Sequence, residues 1–240
     1  MKFRYLFILL LITIPILKII GEYQYSKTVN KEKLQFKIKI WDFTENGKLN
    51  SVDTLLVSIN FNLPKTYSIK KYNHYKSDCL GCESQGYSFF TNPSSETIKE
   101  PDSLYFEWIS RVDTLRDIDS LILSVYTHMD IFKSYLSEKC SSKDLILNFK
   151  DELKSQSPDY KFSNITEHQN SVGKYSILNY SLNRSYIVST FCVGGIFIKF
   201  NLKDQSSNTN GSLNFYKILQ SVKIKVEYKG KDEKIKQLIN

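Results

Sequence analysis

The sequence predicts an α+β fold: a mainly antiparallel sheet with two or three helices packed on it. Three observations carry this. Strict period-two alternation marks residues 34–40 and 55–61 as half-buried strands. An i, i+4, i+8 stripe of Leu145, Phe149 and Leu153 marks a helix in the middle of the chain. Strand-like runs resume after Pro158, and several consecutive strands with two helices set among them point to antiparallel pairing.

Leu34, Phe36, Ile38 and Ile40 share one side of the first strand, and Gln35, Lys37 and Lys39 the other. Leu55, Val57, Ile59 and Phe61 repeat the pattern with Ser58 and Asn60 facing out. Between them lies a polar loop with Asn46-Gly47, a pair that favours turns with positive φ, so residues 34–61 read as an antiparallel hairpin with a long tip. Shorter strand candidates follow at 67–70, 86–91, 104–109 and 121–126. Phe132 and Leu136 suggest an early helical turn or two. Ser141 followed by Asp144 offers a capped start for the main helix, Ile146 and Leu147 broaden its stripe, and Pro158 enforces its stop. The last third reads as strands at 161–165, 174–180, 185–191 and 195–202, a polar turn at 206–211, a short helix on Phe215, Ile218 and Leu219, and a final strand at 222–226.

The N-terminus reads as an address. Lys2 and Arg4 precede a charge-free, mostly apolar run from Tyr5 to Leu17, followed by Lys18, Ile19, Ile20 and Gly21. As a helix the run spans roughly 20 Å, which suits a signal peptide; extended to Ile20 with Lys18 snorkelling, it suits an uncleaved anchor. Either way the remainder is expected outside the cytoplasm, membrane-anchored or secreted/periplasmic. The chain then divides into residues 1–21 as signal peptide or anchor, 22–33 as a short exposed segment, 34–228 as one domain, and 229–240 as a charged tail.

Hydrophobic content of 41% and aromatic content of 14% describe a globular chain. The net charge of +8 is uneven. Lys65, Lys70, Lys71 and Lys76 fall together without an acid, whereas residues 96–119 are rich in Asp and Glu. An exported basic protein meets anionic lipid, glycan or wall polymer rather than nucleic acid.

From Phe61 to about Tyr228 the order of elements resembles a known family. The features are Phe61-x-Leu63-Pro64-x-x-Tyr67-Ser68, Gly86-Tyr87-Ser88-Phe89-Phe90, the amphipathic helix over 145–153, Gly173-Lys174-Tyr175, and Gly195-Ile196-Phe197-Ile198-Lys199-Phe200. The close is Phe215-Tyr216-x-Ile218 and then Leu219-x-Ser221-Val222-Lys223-Ile224. Together they resemble the extrinsic photosystem-subunit (PsbP-like) fold, found also in exported bacterial proteins of unassigned role. The resemblance implies an α/β/α sandwich acting as a non-catalytic assembly or binding module. The strand at 34–40, an extra N-terminal β-hairpin with its partner, and the insertion at 79–82 stand outside that pattern.

Cys79-Leu80-Gly81-Cys82 is the sharpest local motif. It suits a structural or labile disulfide, half a zinc site, a redox pair or free thiols. Glu83 stands where haem attachment needs His, and the flanking acids Asp78 and Glu83 would raise a thiol pKa. Four cysteines allow three pairings. Cys79 with Cys82 is the favoured one, which leaves Cys140 with Cys192; Cys192, in an apolar strand, also reads as a buried thiol. A second motif is Lys65, Lys70, Lys71, Tyr72, Tyr75 and Lys76, a basic-aromatic run that could dock an anionic surface or glycan but reads first as a strand and loop with a solvated face. His74, His128 and His168 form no HxH or HxxxH pair, and no nucleophile elbow, phosphate loop or dinucleotide fingerprint occurs. No catalytic residue, metal or cofactor is assigned. The resulting expectation is an exported, non-catalytic binding or assembly protein of the cell envelope. Its partner would be an envelope protein or anionic surface polymer, with the membrane reached through the N-terminal segment and no nucleic acid. The alternatives are a thiol-disulfide protein using Cys79 and Cys82, or an anionic-surface or glycan-binding module.

Overall fold

The hairpin organises one of two sheets. The computed structural model describes residues 28–75, 83–91, 122–136, 140–182, 185–204 and 210–239. In it β1 (Val29–Phe43) and β2 (Leu49–Pro64) pair antiparallel from Val29↔Pro64 to Phe43↔Leu49, with a register shift between Asp42 and Phe43. Leu34 lies opposite Ile59, Phe36 opposite Val57 and Ile38 opposite Leu55, so inward residues meet inward residues and all six are buried. The tip turns through Gly47 at a φ of 70°, the conformation expected of Asn-Gly. The strand β1 starts at Val29, ahead of its alternation, because residues 29–33 pair through backbone with 60–64 while their side chains stay largely outside the core.

Among the described residues there follow β3 (Tyr67–Tyr75), β4 (Ser84–Thr91), β5 (Ile122–His128), β6 (Asp130–Phe132) and a 3₁₀ turn (Lys133–Tyr135). Next come α1 (Ser142–Gln156), β7 (Lys161–Phe162), β8 (Thr166–Gln169), β9 (Lys174–Ser181), β10 (Ser185–Val193) and β11 (Ile196–Asp204). The chain closes with α2 (Asn210–Ser221), β12 (Lys223–Tyr228) and α3 (Glu233–Ile239). Of the run at 161–165 only residues 161–162 are strand, β7; β8 begins past its end at Thr166, and both pair with β9. The candidate at 104–109 lies outside the described residues.

The small sheet has the order β12-β2-β1-β6, and the large one runs β3-β4-β5-β11-β10-β9-β7 with β8 also on β9. Apart from the parallel contact of β1 with β6, the pairs are antiparallel. The predicted hairpin is therefore no appendage: it recruits β6 and the C-terminal β12 into a sheet of its own. Aromatic edge-to-face pairs join the two sheets. Phe61 of β2 meets Phe89 at 5.8 Å and Phe200 at 5.7 Å, and Phe36 meets Tyr87 at 5.6 Å.

On the far face of the large sheet, α1 covers β9 and β10. Ser141 caps this helix, its hydroxyl accepting from Asp144 N at 3.2 Å, and Ser157 ends it one residue before Pro158. Ile146, Phe149 and Leu153 pack on Leu178, Tyr180 and Val188. Beneath its first turn, Ser142 Oγ shares a hydrogen bond with Ser176 Oγ at 3.0 Å and Thr190 Oγ1 donates to Ser142 O at 2.8 Å, which satisfies buried polar atoms. Cys140, just ahead of the helix, is disulfide-bonded to Cys192 near the end of β10, with Cα atoms 5.9 Å apart. Cys192 is thus half of a bridge rather than a buried thiol. The sequence separation of 52 makes the loop constraint worth about 4 kcal/mol in the chain-entropy account.

The helix α2 buries Phe215, Ile218 and Leu219 completely, in the core shared by the two sheets. Its last turn is tied down by Asn170 Nδ2 donating to Leu219 O at 2.8 Å and by Ser221 Oγ accepting from Asn62 N at 2.8 Å. The charged segment after Tyr228 carries α3, anchored by Ile235 at 1% exposure.

Candidate functional site

Strand alternation determines what the small sheet shows to solvent. With Leu34, Phe36, Ile38 and Ile40 inward, β1 presents Lys31, Lys33, Gln35, Lys37 and Lys39 outward, all exposed. Strand β12 presents Lys223, Lys225 and Glu227 on the same side, also exposed. Register aligns them across β2: Lys33, Asn60 and Lys223 form one row, Gln35, Ser58 and Lys225 the next, and Lys37, Leu56 and Glu227 the third. Six lysines and one glutamate thus occupy a field roughly 26 Å along the strands and about 10 Å across. Glu227 is paired with Lys225 at 2.7 Å, which holds its carboxyl below the usual carboxylate range. Asp130 of β6, in register with Lys39, is buried.

At the hairpin tip the lysine field gives way to aromatic side chains. Trp41 and Phe43 stack at 6.4 Å, Phe132 lies 6.0 Å from Phe43, and Tyr135 lies 5.5 Å from Phe132. Trp41 is in register with Phe132 on one side and Val52 on the other, and Lys39 Nζ sits 5.9 Å from the indole centroid. Phe43, Leu49, Val52 and Tyr135 are 39%, 53%, 43% and 64% exposed. An apolar cluster of this kind, rimmed by charge, makes this end a candidate interaction surface.

Polar groups at the rim hold that end in place. Lys133 Nζ lies 3.2 Å from Asp42 Oδ2 and 2.7 Å from Asp232 Oδ2, tying the 3₁₀ turn to β1 and to the start of α3. Asp42 also accepts from Asn50 Nδ2 at 2.8 Å, and Asp232 Oδ1 accepts from Lys234 N at 2.9 Å at the head of α3. The Asn50 amide first, and then Lys133, holds the Asp42 carboxyl low, whereas for Asp232 the Lys133 ammonium is the chief cause. Tyr228 donates to Asp53 Oδ2 at 2.5 Å and accepts from Asp232 N at 3.1 Å; burial and Asp53 push its hydroxyl up to about 12.

The sequence-derived candidates lie elsewhere. Cys79, Cys82 and Lys76 fall outside the described residues. Lys65 is exposed in the β2–β3 turn, and Lys70, Lys71, Tyr72 and Tyr75 lie on β3, the edge strand of the large sheet. Tyr72 is exposed and packs edge-on against Tyr87 at 5.2 Å. The lysine field was missed as a unit because its halves are far apart in the chain. A signal was present: Lys37-Ile38-Lys39 and Lys223-Ile224-Lys225 repeat one tripeptide in two strands. Among the described residues no group of three or more His, Cys, Asp or Glu is placed to hold a metal ion, and no helix is long and apolar enough to cross a membrane.

No family model and no curated protein sequence matches this chain. Among solved structures it is similar to the solution structure of cyanobacterial PsbP (CyanoP) from Synechocystis sp. PCC 6803. The identity is 15%, the match covers 82% of this chain and 92% of that one, and the TM-score is 0.43. That structure is of the fold family that the sequence motifs resemble, and at this score the likeness brings neither partner nor activity with it.

Proposed function

We propose that this is an exported, non-catalytic binding or assembly protein of the cell envelope, working through the outward face of its small sheet. The observation that carries the reading is the lysine field flanked by exposed aromatic residues, a surface built from β1, β6 and β12. The basic, apolar N-terminal run and the Cys140–Cys192 bridge support a compartment outside the cytoplasm, where disulfides persist.

The test is fractionation of cells expressing the native protein, with thiol alkylation before and after reduction, followed by amine-reactive cross-linking in the envelope. The expected result is recovery from the envelope, Cys140 and Cys192 alkylated only after reduction, and cross-links concentrated at residues 31–39 and 223–225. Recovery from the cytoplasm with both thiols alkylated directly would overturn the reading.

A further inference from the structure

The lysine field and the aromatic tip lie on one side of one sheet, and that arrangement says more than charge alone. We infer that the small sheet lies face-down on an anionic lipid bilayer, with Lys31, Lys33, Lys37, Lys39, Lys223 and Lys225 over the headgroups and Trp41, Phe43, Phe132 and Tyr135 entering the interface. The inference rests on the envelope-binding reading and names the occupant of the same surface.

Three observations favour a bilayer over a soluble anionic polymer. The lysines are spread over the face of a sheet rather than along a groove, so they meet a surface many headgroups wide. At the aromatic end Phe43 and Tyr135 are exposed beside a half-buried Trp41, and such rings favour the membrane–water interface, whereas a wholly polar polymer would gain little from them. The apolar run ending at Leu17 precedes β1 by only residues 18–28, a span of at most about 40 Å when fully extended. The field begins with Lys31, two residues into β1, so a leader seated in a bilayer keeps it near the same surface.

The effect must be short-ranged. Screening confines it to about 8–10 Å at ordinary ionic strength, so the face has to lie flat for its lysines to act together. Each lysine near an anionic surface then strengthens binding roughly fivefold.

The test uses the full-length chain on vesicles of phosphatidylcholine alone or of phosphatidylcholine with phosphatidylglycerol. Amines are acetylated under single-hit conditions, and rates are read lysine by lysine by peptide mass spectrometry. Both vesicles accept the N-terminal segment, so a difference between them reports on the folded face. On the anionic vesicles Lys31, Lys37, Lys39 and Lys223 are expected to react at about one fifth of their rate on neutral vesicles or slower. Lys143 and Lys154 of α1, which packs on the other sheet, should change by less than about twofold, since charge beyond the screening length is not felt. Salt of about 1 M, where the screening length falls to about 3 Å, should restore the rates. The variant Lys37→Gln/Lys223→Gln, altered at two exposed positions, should bring Lys31 and Lys39 toward their rates on neutral vesicles.

Equal rates on the two vesicles would overturn the bilayer inference. If inorganic polyphosphate then protects the same lysines, the sheet face stands as a docking surface with a polymer as its partner. If neither protects them, the docking reading of this face falls as well.

Discussion

The two sheets share a core but differ on their outer faces: α1 packs on the large one, whereas β1 and β12 of the small one turn lysines to solvent. In the large sheet, β9 buries Tyr175 and Ile177 on the side of the small sheet and Ser176, Leu178 and Tyr180 on the side of α1. Strands buried on both faces read as near-continuous apolar runs. In the small sheet, β1 buries Leu34 to Ile40 at every second position and leaves lysine and glutamine between them. One polymer geometry serves both; whether a second layer covers the outer face decides which residues it can carry. The disulfide falls on the covered side, where Cys140 ties the start of α1 to β10. The small sheet is held instead at its rim by the Lys133 ion pairs and by Tyr228.

The sharpest way to break this division is to separate the two layers. Phe61→Ala removes a ring that touches both Phe89 and Phe200 and should destabilise the protein by about 3–5 kcal/mol, read as a fall in the urea midpoint. A loss below about 1 kcal/mol would show that the inter-sheet core tolerates a cavity and that the layers are less interdependent than their packing suggests.

Replacing both bridged cysteines by serine comes next, at about 2–4 kcal/mol. The consequence should be local. Amide exchange in α1 and β10 should accelerate more than in β1 and β2, because the bridge restrains the covered side only. Uniform acceleration would argue that the protein opens as one unit.

Tyr228→Phe should cost about 1 kcal/mol, since the group is only partly buried and water screens its bond to Asp53. Its pH signature is more telling than its size. The hydroxyl is held at about 12 in the fold, against about 10 when unfolded, so its contribution is complete below pH 10. That contribution should be lost as pH rises from about 10 toward 12, which makes the stability gap between wild type and variant shrink over that interval. A gap that stays constant would mean the Asp53 bond is absent in solution.

At the small end, Lys37→Gln and Lys223→Gln should change stability by less than about 0.5 kcal/mol, because neither side chain fills core space. A larger loss would recast the lysine field as structural and weaken its assignment to docking.

Much of the fold was legible before the structure. The hairpin, its Asn-Gly tip, the Ser141-capped helix and the stop at Pro158 follow from interactions within a few residues. Less legible was the tight turn at Gly194-Gly195, both with positive φ, which joins β10 to β11 as a two-residue hairpin. That pair stood in the sequence between two apolar runs, a readable signal. The start of β1 at Val29 was not readable, since backbone pairing there leaves no hydrophobic imprint. Nor was α3, whose buried anchor Ile235 sits among lysines and acids.

What the sequence determined by itself was local: where strands alternate, where helices start and stop, and that these elements mix into an α+β chain. Periodicity and capping depend on neighbours along the chain, so they are written there. What only the tertiary structure decided was assembly. It split the strands into two sheets, joined Cys140 to Cys192, and brought Lys33 and Lys223 into one row across β2. Those pairings turn on which surfaces meet after long loops close. Loop-closure entropy changes only slowly with the intervening length, so sequence distance is a poor guide to such partners.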